Sequence, residues 1–216
     1  MDPRTPSPPQ LAAIKILIFA LCLLPAGLLA AGWFGHALGA NPIEAVQHGT
    51  GQWTLRMLLA TLAVTPLRRL TGLHWLLRLR RMLGLFAFAW ACAHLLAWAW
   101  LDLWLDWPAI AADILERPYV TVGFAAFVLL VPLAATSSAG AIRRLGGRRW
   151  QALHRSVYAI AILGVVHFWW LVKADVLEPL VYALILAALL GARVGWRGWI
   201  AAAGSPRLRR RDSRAR

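Results

Sequence analysis

The chain is laid out as apolar blocks of about twenty residues separated by short polar stretches, a pattern that restricts its fold more than any other feature. A helix needs about 20 apolar residues to cross the roughly 30 Å hydrocarbon layer of a bilayer. Hydrophobic residues fill 60% of the 216 positions, against about 45–50% in a soluble domain, and little chain is left over for a soluble unit. Six spans are expected, at Ile14–Trp33, Gly51–Leu67, Met82–Leu103, Tyr119–Thr136, Trp150–Val172 and Pro179–Trp196. Their short connections make consecutive helices antiparallel neighbours. The expected fold class is all-α: a polytopic six-helix membrane bundle, with a flexible N-terminus over 1–13, a membrane domain over 14–200 and a basic tail over 201–216. The first block has some features of a signal peptide, with Lys15 before it and Ala30, Ala31 and Gly32 near its end. It is long for one and lacks a clean cleavage site, so it reads as a retained span.

The net charge of +14 is distributed by side. One side takes the N-terminus, residues 68–81, residues 143–149 and the tail; the other takes residues 37–50, 102–118 and 173–178. Of 23 Lys and Arg, only Arg117 and Lys173 fall in loops of the second side, which holds Glu44, Asp102, Asp106, Asp113, Glu116, Asp175 and Glu178 out of nine acids. An excess of Lys and Arg marks the cytoplasmic face, so both termini are expected inside. The basic charge is then a topology signal rather than a nucleic-acid footprint, with anionic lipid head groups as a secondary partner.

Apart from Asp102 at the very end of the third, no Asp or Glu lies inside an expected span, which argues against a proton-coupled transporter built on intramembrane carboxylates. The ionisable residues expected to be buried are Arg56 and the three histidines that belong to spans, His94, His154 and His167. His36, His48 and His74 fall in loops and read as solvated. An imidazole in hydrocarbon needs a partner, which another helix can supply through a hydrogen bond. Depth suggests a different partner. His94 precedes Asp102 by eight residues, about 12 Å, and His167 precedes Lys173 by six, about 9 Å. The two imidazoles therefore lie at nearly one level, and two histidines facing across a bundle can hold a haem iron from both sides. Ala91, Ala97 and Gly164, one turn away, leave room for a flat macrocycle.

His154 lies thirteen residues inward of His167, about 20 Å along an ideal helix and about 140° around it. The third span has Arg80 and Arg81 at that depth instead of a matching histidine. His154 either ligates a second haem with another partner, touches a different cofactor, or hydrogen-bonds at the interface. Arg56 either snorkels to the outer interface or, with Arg117, pairs with haem propionates through charge-assisted bonds. Cys22 and Cys92 lie in apolar blocks without metal-ligand spacing and read as small buried thiols. Most of the 13 tryptophans sit near span ends, as an interfacial belt would.

The ordered set TGQWTLRMLLATLAVTPLRRL (50–70), RRMLGLFAFAWACAHLLAW (80–98), RPYVTVGF (117–124), LAATS (133–137) and WQALHRSVYAIAILGVVHFWW (150–170) resembles the haem-binding membrane subunits of bacterial periplasmic protein-methionine-sulfoxide reductase systems, within the ferric-reductase-like transmembrane group. The resemblance covers about residues 14–200 and implies an inner-membrane b-type cytochrome with haem b and bound FMN. It implies that electrons pass from the quinone pool or a cytoplasmic flavin reductase to a periplasmic molybdenum-containing partner, which repairs methionine sulfoxide in envelope proteins. His94, His154 and His167 fall on the family's histidine positions, and Arg148, Arg149 and Arg155 are available to a flavin phosphate. The wider group places two histidines on each of two helices, whereas the third span here has one. Flavin and nicotinamide domains are absent from the C-terminal part, so electrons are expected from a separate donor. Two other readings are a cofactor-free transporter or structural membrane protein, and a self-contained ferric or quinone reductase.

Overall fold

In a computed structural model, residues 5–172 and 176–203 are described, with side chains to Arg193; Lys173, Asp175 and the basic tail from 204 onward lie outside the described residues. Among the described residues the chain is helical, with no strand. The helices are α1 (Pro8–Phe34), α2 (Pro42–Thr71), α3 (Arg80–Leu96), α4 (Trp107–Glu116), α5 (Pro118–Ala135), α6 (Ala139–Leu145), α7 (Gly147–His154), α8 (Val157–Leu171) and α9 (Leu177–Ala203). A 3₁₀ turn at His74–Arg78 precedes α3, and a π turn at Ala97–Asp102 follows it.

The ends of α2 show why the sequence folds as it does. Asn41 caps it by accepting from the Glu44 N–H at 3.2 Å, and Pro42 and Glu44 occupy the first turn, where a missing N–H and a negative charge are both favourable. Arg68 and Arg69 sit in the last turn, and Gly72 closes the helix at φ 73°, its N–H donating to Arg68 O at 2.9 Å. Within it, the hydroxyls of Thr50, Thr54 and Thr61 donate to carbonyls one turn earlier, which satisfies polar groups that hydrocarbon would leave without partners.

By length and composition four stretches can cross a membrane: Pro8–Phe34, His74–Asp102, Pro118–Ala135 and Gly147–Leu171. This is fewer than the six expected. The remaining two expected spans fall on α2 and α9, which have the length, at 30 and 27 residues. α2 carries Gln47, Gln52, Arg56 and its threonines through the bundle, which lowers its apolar character, and α9 has side chains described only to Arg193.

α2 packs mainly on α3 and α5 mainly on α8, while α9 leans on α8 and α2. Leu62, Ala87, Ile160 and Ala161 are fully buried where these helices meet. α1 is fastened less closely. The Trp90 indole donates to Cys22 O at 3.3 Å, Gly49 admits Leu29, and Ile16, Leu17, Leu24 and Leu28 stay exposed. Cys22 is buried and Cys92 half-buried, both as free thiols.

Two irregularities change the sequence-based geometry. The expected fifth span is interrupted at Arg155 and Ser156, where bonds to the third residue back replace the α-helical pattern and Ser156 Oγ donates to Leu153 O at 2.7 Å. His154 therefore ends α7 rather than continuing the helix of His167, and the ideal-helix angle between them does not apply. The π turn after His94 also rises less per residue than an α-helix, so the distance counted back from Asp102 overstates its depth.

Candidate functional site

An apolar cleft opens between α2, α3, α5 and α8, walled by Leu55, Leu58, Phe124, Phe127, Leu130 and Ile160. His94 on α3 and His167 on α8 both line it. Their ring centres are 6.1 Å apart, with the planes at 72°. Depth matching from the sequence thus leads to a pair that meets in space, although the yardstick on one side was too long.

The hydrogen bonds of the two rings match. His94 Nδ1 donates to the backbone carbonyl of Gln47 on α2 at 3.0 Å, and His167 Nδ1 donates to the carbonyl of Tyr119 on α5 at 2.7 Å. A carbonyl can only accept, so the proton of each neutral ring resides on Nδ1 and the lone pair on Nε2. Neither Nε2 has a hydrogen-bond partner among the described residues. This is the arrangement by which proteins orient imidazole ligands for a metal. Thr50 Oγ1 lies 3.3 Å from His94 Nδ1 while donating to Val46 O, and holds the same ring from a second side.

Two glycines make these approaches possible. A Cβ on Gly51 would stand 3.0 Å from His94 Cε1, and one on Gly123 would stand 2.7 Å from His167 Nδ1. Helices α2 and α5 can come close enough for their carbonyls to reach the rings only because both positions lack a side chain. Of the small residues noted in the sequence, Ala91 and Gly164 line the cleft, and Ala97 is buried outside the lining.

The chemistry of this donor set can be tested against haem. Two metal–nitrogen bonds of about 2 Å, with about 1.1 Å more from each nitrogen to its ring centre, would separate the ring centres by about 6.2 Å; the observed value is 6.1 Å. Among the described residues no three of His, Cys, Asp or Glu converge, so a bare ion would find two protein donors, whereas a porphyrin brings its own ring nitrogens. Gln47 Nε2 is buried at the cleft without an acceptor, a donor free for an acidic substituent. The residues fit the group.

The other expected site residues are placed less directly. Arg56 Nε donates to Tyr182 Oη at 2.8 Å and Nη2 to Gln52 Oε1 at 3.3 Å, with Glu178 3.9 Å away and the Trp53 ring beneath it. It is held beside the cleft through Gln52 rather than directed into it. Arg117 pairs with Asp113 at 3.1 Å and donates to Tyr119 Oη at 3.4 Å; the Tyr119 bond, and after it the Asp113 charge, raise its pKa above the ordinary value.

His154 lies apart from the cleft. Its Nε2 is 3.1 Å from Thr136 Oγ1, which itself donates to Pro132 O, and its ring stacks on Trp150 at 4.0 Å. The Trp150 indole donates to Thr136 O at 2.9 Å. Arg148 and Arg149 line a shallow hollow with Leu145, Gly146 and Gly147. His36, His48 and His74 are all exposed, but His48 lies on α2 rather than in the expected loop, 4.0 Å from Glu44, and it borders the cleft. Residue-by-residue reasoning did not single out Gln47, Gly51, Thr50, Tyr119 or Gly123. The stretches TGQW and RPYVTVGF contain Thr50, Gly51, Tyr119 and Gly123, each with a glycine inside what proves to be a helix, whereas nothing in the sequence pointed to Gln47.

Residues 50–165 match the family model described as ferric reductase like transmembrane component. A protein-methionine-sulfoxide reductase heme-binding subunit of Azospira oryzae is 62% identical over 88% of this chain and 82% of its own length. Subunits of the same name from Herminiimonas arsenicoxydans and Rhodospirillum rubrum are 53% and 55% identical, over 88% and 83% of this chain and 88% and 86% of theirs. No solved structure matches the chain.

Proposed function

Because this chain belongs to the ferric-reductase-like transmembrane family, alongside the heme-binding subunits of protein-methionine-sulfoxide reductase, we propose that it is a b-type cytochrome subunit of the bacterial inner membrane, with His94 and His167 holding one haem b. The observation that carries this reading is the imidazole pair, with ring centres 6.1 Å apart and each Nδ1 bound to a carbonyl. Haem iron held by two imidazoles carries single electrons and offers no open position to oxygen or substrate.

The chain's own residues do the rest. The carbonyls of Gln47 and Tyr119 fix each ring's tautomer and plane, and Thr50 braces the first. Leu55, Leu58, Phe124 and Phe127 keep water from the centre of the cleft. Gln47 at the wall is the donor that the geometry offers a propionate, and Arg56 and Arg117, held beside the cleft by Gln52 and Tyr119, would reach one only by giving up present partners.

In this reading the chain makes six spans, α2 and α9 among them, with both termini cytoplasmic, and residues 14–200 form the haem-binding domain. The subunit passes electrons outward, from the quinone pool or a cytoplasmic flavin reductase to a periplasmic molybdenum-containing reductase that repairs methionine sulfoxide in envelope proteins. The inner side, with His154 and the basic residues Arg148, Arg149 and Arg155, is where they enter. FMN belongs there, and so would a second haem if His154 gave up Thr136. The deciding experiment is a pyridine haemochrome assay and a reduced-minus-oxidised spectrum of the purified protein. About one haem b per chain is expected, retained when His36, His48 or His74 is replaced by alanine and lost in His94→Ala. A colourless protein, or full haem in His94→Ala, would refute the reading.

A further inference from the structure

One acid is more enclosed than its place in an outer loop requires. The Asp113 side chain on α4 is 12% exposed, although its partner Arg117 is 56% exposed. A surface pair spaced four residues apart would hold the end of α4 with both side chains in water, and such pairs contribute little. Asp113 is enclosed because it has a second partner. Its Oδ2 accepts from the Trp98 indole at 3.1 Å, while Oδ1 faces Arg117 Nε at 3.1 Å.

Those partners lead to opposite walls of the cleft. Trp98 sits in the π turn, four residues beyond His94, and lines the cleft. Arg117 is the N-cap of α5 and donates to the hydroxyl of Tyr119, whose carbonyl accepts from His167 Nδ1. The Arg117 N–H also bonds to Asp113 O at 3.2 Å, so α4 and α5 meet at a fixed corner. One carboxylate thus joins the end of the helix carrying His94 to the residue that orients His167.

We propose that Asp113 is a positioning residue for the histidine pair: it ties the outer end of α3 to the start of α5 across the mouth of the cleft, and so sets how the two imidazoles stand relative to each other. This rests on the reading of His94 and His167 as haem ligands. The π turn has a role in it, since the extra residue in the turn swings Trp98 toward α4. The bond to the enclosed carboxylate is charge-assisted and is the stronger half of the tie.

Low-temperature EPR of the ferric protein, together with a redox titration, tests this, because the spread of g values of a bis-imidazole haem reports the angle between the ring planes. Trp98→Phe removes one N–H and leaves the Asp113–Arg117 pair in place; Asp113→Ala removes both bonds; Asp113→Asn keeps an acceptor for Trp98 and removes the charge. The expected result is a changed g spread in Trp98→Phe and Asp113→Ala, and a near wild-type spread in Asp113→Asn. The midpoint potential should rise in Asp113→Asn and Asp113→Ala, because losing a negative charge beside the cleft disfavours the more positive ferric state. If Asp113→Ala does not accumulate, Trp98→Phe decides. Wild-type g values and potential in Trp98→Phe and in whichever Asp113 variants accumulate would overturn the proposal while leaving the ligand assignment intact. A wild-type protein without low-spin haem would overturn the ligand assignment itself.

Discussion

The cleft, proposed above to be the outer site, and the α7 end of the bundle, proposed to be the inner one, both carry histidine, in opposite states. At the outer cleft each imidazole gives its Nδ1 proton to a backbone carbonyl and leaves Nε2 without a hydrogen-bond partner among the described residues. At the inner end His154 uses Nε2 itself, against the Thr136 hydroxyl, and its ring is covered by Trp150. Outer neighbours have been reduced to glycine to admit the rings, at Gly51 and Gly123, whereas the inner histidine is packed against a large aromatic ring. Position within an apolar block does not separate the two kinds of histidine; which nitrogen is engaged does, and on it rests the proposal that His94 and His167 are ligands.

The sharpest way to break this contrast is to remove an outer ring. His94→Ala or His167→Ala should abolish the low-spin haem, measured as haem per chain in purified protein. Gly123→Ala should come next. Its Cβ would stand 2.7 Å from His167 Nδ1, against a ring held in place by its bond to the Tyr119 carbonyl. Overpacking of this kind costs about 1–3 kcal/mol, or roughly 5- to 150-fold in haem affinity. Gly51→Ala, with its nearest contact at 3.0 Å from His94 Cε1, should fall at the lower end of that range. Haem titration of the apo-protein in detergent ranks the two.

The inner histidine should respond differently. His154→Ala is expected to keep the outer haem, while stopped-flow reduction by the donor slows more than reoxidation by the periplasmic partner. Wild-type reduction kinetics with normal haem and flavin content would leave His154 a hydrogen-bonding residue only. The smallest effect should come from Thr136→Val, which exchanges the hydroxyl's bonds to Pro132 O and His154 Nε2 for a methyl group, at a net cost of about 1 kcal/mol. Thermal unfolding should shift down by about 2–4 °C with the haem spectrum unchanged. A loss of outer haem in Thr136→Val would show that the two regions are not independent.

Much of this architecture was legible in the chain, for physical reasons that differ by element. Apolar length announced α1, α3, α5 and the α7–α8 stretch, because hydrocarbon admits few alternatives to a helix. The pairing of His94 with His167 could be inferred because both helices run the same way from a charged boundary. What escaped was set by local backbone departures. The π turn at Ala97–Asp102 and the break at Arg155–Ser156 obey no periodicity, and the second of these detaches His154 from the helix of His167. The helix α4 was hidden in what read as an acidic loop, although Asp106 caps it by accepting from the Ala109 N–H at 3.2 Å. The carbonyl partners of the two rings were out of reach in principle, since a backbone oxygen has no letter in the sequence.

The central claim is that one metal centre is shared by His94 and His167, and EPR of the ferric wild-type protein at low temperature tests it most directly. The account predicts a low-spin, bis-imidazole signal integrating to about one spin per chain at the outer site, absent from His94→Ala and from His167→Ala and present in His154→Ala. A high-spin signal, or a low-spin signal that survives the loss of either outer histidine, would contradict it.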